Sequence, residues 1–206
     1  MRIGSAYTTS YVINPISSSA SKKLCLNQFG FAFLFSICAC APATSGAESL
    51  YTSIKSGDCQ KPSKSIVALY DSRGLTAQEC KAAEGWRLFV VSSDARSWLE
   101  AARDRTLWSS EEQVVNQNEF GNFPNIGSEK VEWPMTKANS PAALIFRIVA
   151  QDPAPTGKNL SRLFVIGFIK NTPYLCGVAK TNDEARALAE KTSACTIGLQ
   201  VMELPR

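Results

Sequence analysis

The placement of cysteines constrains this chain more than any other feature. Of the seven, Cys25, Cys38 and Cys40 fall in the first 47 residues, while Cys59, Cys80, Cys176 and Cys195 occupy the rest. The first 47 residues read as a segment removed on export. Lys22 and Lys23 precede an apolar run over 24–41, and the small residues Ser45 and Ala47 stand three and one positions before a cleavage point at Glu48. A basic region, an apolar run and small residues at those positions are the pattern of a secretory signal peptide. Two alternatives remain open. The apolar run approaches the roughly 20 residues that cross a bilayer as a helix, so it could stay as an anchor. Cys40 could instead become the lipidated first residue of a bacterial lipoprotein. The stretch before Lys22, rich in Ser and Tyr and without an acid, is a long basic region or an over-extended start.

Four cysteines in an exported domain predict disulfides. Three pairings are open to them, and sequence order favours Cys59 with Cys80 and Cys176 with Cys195. The second pair follows from distances. A strand over 174–180 carries the chain about 17 Å beyond Cys176 at roughly 3.3 Å per residue. Thr181 and Glu184 have capping-box spacing, and a helix over 183–194 with Ala185, Leu188 and Ala189 on one face returns about 16 Å at roughly 1.5 Å per residue. Cys195 then arrives beside Cys176.

Composition excludes several chemistries. The chain has no histidine, so neither a Ser/His or Cys/His nucleophile pair nor an HExxH zinc site exists. There is no CxxC, GxSxG, P-loop or GxGxxG, and the one SxxK, Ser19 with Lys22, lies in the removed segment. No metal or cofactor is implied. Losing Arg2, Lys22 and Lys23 and no acid, the 22 basic residues fall to 19 against 18 acidic ones. A near-neutral domain lacks the basic footprint for phosphate backbones, so nucleic acid is not an expected partner.

Residues 48–206 fit one domain. Strands are predicted over 65–70 and 86–92, rich in β-branched and aromatic residues, and over 94–105, where a helical face competes with alternation. Further strands follow over 131–135, 142–149, 163–170 and 174–180, and Ile197, Leu199 and Val201 alternate as a last one. The expected architecture is a single α+β domain, mainly an antiparallel sheet with one C-terminal helix packed on a face and two disulfides.

The run Phe120-Gly121-Asn122-Phe123-Pro124-Asn125-Ile126-Gly127, then Val131-Glu132-Trp133 and Phe146-Arg147, resembles a family of small exported bacterial proteins of uncharacterised function. The likeness spans most of 48–206, including the cysteine spacing. It implies export, one compact domain and disulfides, and carries over no catalytic residue.

Physically, 116–130 reads as a loop long enough to bind something. Its candidate binding residues are Phe120, Asn122, Phe123 and Asn125. The competing reading folds both phenylalanines back to plug the end of the sheet, and it is the favoured one because aromatics are more often core than site. Glu132 and Arg147 are expected as a cross-strand pair, and Glu111-Glu112 as a solvated turn. The leading functional expectation is a periplasmic or secreted, non-catalytic module that binds a protein or cell-envelope component through loops 116–130 and 150–161. Membrane contact would then be limited to the signal peptide or to lipid on Cys40. The alternative is a carboxylate-dependent hydrolase of an envelope polymer using Glu119, Glu129 or Glu132. A purely structural envelope protein is the third reading.

Overall fold

A computed structural model describes residues 48–205, so the signal peptide, its anchor alternative and the lipidation site at Cys40 lie outside the described residues. In chain order the elements begin with β1 (Ser49–Ser53), α1 (Lys64–Asp71), β2 (Thr76–Cys80), β3 (Arg87–Ser93), β4 (Arg96–Arg103) and β5 (Thr106–Ser109). A π-helical turn (Glu112–Asn116) follows, then β6 (Asn122–Ile126), β7 (Lys130–Pro134), β8 (Ala143–Gln151), β9 (Asn159–Ile169) and β10 (Thr172–Ala179). The chain closes with α2 (Asn182–Ala189), β11 (Ile197–Gly198) and β12 (Gln200–Glu203).

The strands form two antiparallel sheets. The larger has the order β1-β7-β8-β9-β10-β11, with β6 also pairing β8; the smaller has the order β12-β5-β4-β3-β2. Tight turns between neighbours use residues that tolerate a left-handed backbone: Asp94 and Asp104 in the smaller sheet, and the consecutive Lys170 and Asn171 between β9 and β10. Two successive positive φ values are what a two-residue hairpin of matching twist requires.

Alternation in β8 and β9 shows how the layers stack. Leu144, Phe146, Ile148, Phe164 and Ile166 share a core with Leu88, Leu99 and Ala101 of the smaller sheet. Ala143, Ile145, Leu163 and Val165 face the other way, under Ala185 and Ala189 of α2. Aromatic rings join the sheets: Phe168 lies 4.3 Å from Trp86 and stacks on Trp133 at 6.1 Å. On the far side of the smaller sheet, α1 buries Ile66 and Tyr70, and the Tyr70 ring meets Phe89 at 6.1 Å.

Both predicted disulfides are present, Cys59–Cys80 and Cys176–Cys195. Closing a loop of about twenty residues stabilises a domain by roughly 3 kcal/mol through lost unfolded-chain entropy. Gly167 lets β9 pass beneath the second bridge, because a Cβ there would stand 2.7 Å from the Cys176 sulfur.

Several expectations need correction. Residues 65–70 are not a strand but most of α1, since Ile66 and Tyr70 lie one turn apart and bury together. The last strand is two: β11 pairs β10 in the larger sheet and β12 pairs β5 in the smaller, with buried Leu199 at the crossing. The C-terminal helix stops at Ala189, and a separate 3-10 turn (Thr192–Ala194) delivers Cys195. The loop 116–130 contains β6. The strand over 94–105 is real, and β4 looked ambiguous because it is buried on both faces from Ser97 to Ala102.

Candidate binding site

The segment after the π-helical turn is placed by side chains that replace regular pairing. The Asn118 amide donates to the Val114 carbonyl at 2.6 Å and its oxygen accepts from the Gly121 N–H at 3.3 Å. Gly121 and Gly127 then let the chain lie against β8, where a Cβ would stand 2.6 Å from the Gln151 carbonyl and 2.2 Å from Val149. Between these glycines the register of β6 on β8 shifts, from Asn122 opposite Gln151 to Asn125 opposite Val149. Such a bulge re-aims side chains.

The two phenylalanines part company as a result. Phe120 is half-buried, 6.2 Å from Phe164 with the Arg162 guanidinium 5.5 Å from its ring. Phe123 is 46% exposed, and its backbone sits in the left-handed region at φ +51°. An aromatic residue there costs on the order of 1–3 kcal/mol and persists only when its surroundings hold it. Asn125 supplies that hold: its amide donates to the Phe123 carbonyl at 3.0 Å and to the Ala95 carbonyl at 2.6 Å. Its oxygen accepts from the Ser97 hydroxyl, which in turn accepts from the Ile126 N–H. The Arg96 guanidinium lies 5.3 Å from the Phe123 ring. The expectation that both rings plug the sheet therefore holds for Phe120 and fails for Phe123.

Two grooves flank the segment. Phe123 and Asn125 line one of about 860 Å³, with Gly127, Val149 and Gln151 along its wall. Phe120 lines another of about 590 Å³. Asn122 is exposed on β6. The structure thus joins Phe123 with Asn125 and assigns Phe120 to a different groove.

The candidate acids are engaged separately. Glu119 is exposed at the Phe120 groove, and Glu129 is an exposed partner of Lys55 at 3.8 Å. Glu132 does not meet Arg147. It stands opposite Ile145, and its carboxylate accepts from Arg186 of α2 at 2.9 Å and from Ser49 at 2.8 Å. Arg147 bonds Ser161 and Asn182 instead. Glu111 is no solvated turn residue either, since it receives Arg73 at 2.8 Å. Burial raises its carboxyl above the ordinary range, against the pull of Arg73.

One polar constellation was missed by sequence reasoning. Glu100, wholly buried on β4, accepts from the Tyr70 hydroxyl at 2.6 Å, Ser109 at 2.7 Å and the Trp98 indole at 3.1 Å. Arg73 stands 3.9 Å away. A carboxylate out of water is tolerable only when so satisfied. Burial, then the neighbouring Glu100 charge, pushes the Tyr70 phenol far above its ordinary value. This cluster fastens α1 to the smaller sheet. The one hint in the sequence was an acid alternating with Trp98 inside the apolar stretch 98–102.

Among the described residues no helix is long and apolar enough to cross a membrane, and no group of three or more Cys, Asp or Glu side chains is placed to hold a metal ion. No protein-family model, no curated protein and no solved structure matches the chain.

Proposed function

We propose that this chain is an exported, non-catalytic binding module that holds a protein or cell-envelope component against the Phe123 face. Its two disulfides fit an oxidising compartment such as the periplasm or the outside of the cell. The observation that carries the binding reading is Phe123 itself. A large apolar ring faces water on a backbone that disfavours it, and Asn125 and Ser97 spend their hydrogen bonds holding it there. Strain maintained by a dedicated polar brace is a mark of function rather than of stability.

The test is sedimentation of the purified domain with isolated cell envelopes. Phe123→Ala should abolish retention while moving the melting temperature by less than about 2 °C, as for other surface changes. Phe120→Ala should instead cost about 0.8–1.5 kcal/mol, half of what a fully buried ring contributes. Undiminished retention of Phe123→Ala would overturn the proposal.

A further inference from the structure

The outer edge of β1 has features that the Phe123 reading does not use. The Met135 N–H donates to the Glu48 carbonyl and the Ile54 N–H to the Glu129 carbonyl, in a register that sets Leu50 opposite Trp133 and Thr52 opposite Val131. Every second residue from Glu48 to Ile54 therefore bonds β7, and Ser49, Tyr51 and Ser53 turn their N–H and C=O groups outward. β1 is the last strand of the larger sheet on that side. Leu50 and Tyr51 stand next to each other on it, 39% and 51% exposed. Successive side chains point to opposite faces, so one large side chain is left open on each face of the edge. The Tyr51 hydroxyl accepts from Arg186 Nη2 at 3.0 Å. That tether fixes the ring in advance and lowers the ordering cost of association.

A sheet edge pairs readily with another chain unless charge, proline, a bulge, shortness or a cover blocks it. The other terminal strands carry such blocks. β11 is two residues long, Gln60 bridges β2 at Glu79, and β12 ends in Glu203, whose carboxylate holds Arg105 at 2.9 Å. The run from Ser49 to Ser53 has no charge, no proline and an unbroken register. Among the described residues no strand pairs its outer side.

We propose that this edge is the interface for a second copy of the chain, the two β1 strands pairing antiparallel about a two-fold axis at Tyr51. That register sets Ser49 opposite the second copy's Ser53, Leu50 opposite its Thr52, and the two Tyr51 rings opposite each other. The outward N–H and C=O groups then meet in about six ladder hydrogen bonds. Glu48 comes opposite Ile54 and one position from Lys55 of the second copy, once at each end of the pair. Small polar residues, aromatic rings and opposite charges thus meet their own kind of partner, which is what commits the edge to a copy of itself rather than to an unrelated strand. None of these residues lines the Phe123 groove, so the proposal stands or falls without it.

Sedimentation equilibrium of the natively exported protein is the test. A five-residue edge makes a small interface, so a monomer–dimer equilibrium with a Kd of about 1–100 μM is expected. Tyr51→Glu sets two carboxylates opposite each other at the axis while Arg186 keeps Glu132. It should weaken dimerisation at least about tenfold and, at an exposed position, move the Tm by less than about 2 °C. Crosslinking reads the register. In Tyr51→Cys the two thiols would face each other with Cα atoms about 5.5 Å apart, within disulfide reach, and mild oxidation should give a covalent dimer. In Ser49→Cys the two thiols lie four residues apart along the pair, about 13 Å, and should not join. A protein that stays monomeric to about 1 mM would overturn the proposal, as would a dimer indifferent to Tyr51→Glu or equal crosslinking of the two cysteine variants. A peptide of alternating threonine and valine that splits the dimer as well as a peptide of residues 48–55 would overturn the second copy as the chosen occupant.

Discussion

The segments closed by Cys59–Cys80 and Cys176–Cys195 separate their cysteines by 21 and 19 residues, and each contains one α-helix of eight residues. The helix of the second segment is specified by its own residues. Thr181 accepts from the Glu184 N–H, and the Glu184 carboxylate accepts from the N–H groups of Thr181 and Lys180. The helix of the first segment has no side-chain cap bond at Ser63 and carries the β-branched pair Ile66 and Val67. It is a helix because Ile66 and Tyr70 are buried together and the Tyr70 hydroxyl reaches Glu100 across the fold. Loops of similar length thus hold helices of opposite origin, one local and one imposed by a distant strand.

Removing the distant partner should separate the two most strongly. Glu100→Ala leaves the buried Tyr70, Ser109 and Trp98 donors without their acceptor and takes a neighbouring charge from Arg73, which keeps Glu111, and should cost about 3–5 kcal/mol in urea unfolding. Hydrogen exchange should show protection lost over α1 before α2. A loss under about 1 kcal/mol would mean that α1 stands without the cluster. Opening the bridges comes next. Paired Cys→Ser changes should cost about 3 kcal/mol at either site, but exchange within α1 should rise in Cys59→Ser/Cys80→Ser, whereas α2 should keep its protection in Cys176→Ser/Cys195→Ser. Equal loss of both helices would erase the distinction.

The caps give a smaller contrast. Thr181→Ala should cost about 1 kcal/mol, and Ser63→Ala less than about 0.5 kcal/mol. Comparable losses would assign α1 a cap that its geometry lacks. The smallest expected difference is in pH response. The Tyr70 phenol keeps its proton when buried against Glu100, while in the unfolded chain it ionises near about pH 10. Its contribution is therefore full below that pH and falls as pH rises beyond it. Glu184 is held below the ordinary carboxylate range by the backbone N–H of Lys180 and then that of Thr181. Its contribution is full above about pH 4.3 and is lost as pH falls through the lowered value. Alkali should loosen α1 first and acid the start of α2, followed by exchange at each pH; Tyr70→Phe should remove the first limb and Glu184→Gln the second.

The same division between local and distant causes governs the candidate site. Phe120, Phe123 and Asn125 stood out in the sequence as an aromatic and amide cluster, but their two directions did not. The period-two rule that assigns faces in a strand breaks at the bulge between Asn122 and Asn125, and the Asn125 brace closes on Ala95 and Ser97, some thirty positions earlier.

By itself, then, the sequence determined what short spacings and local composition control: the cystine pairs, the apolar runs of β8 and β9, and the capping box at Thr181 and Glu184. In those cases the signal lies within a short stretch of chain. Only the tertiary structure decided that 65–70 is helical, that the terminal strand passes from one sheet to the other at Leu199, that Glu132 meets Arg186, and that Phe120 and Phe123 serve different grooves. Each of these depends on a partner far away in sequence, and burial against that partner outweighs a local preference worth a few tenths of a kcal/mol per residue, or about 1 kcal/mol at most.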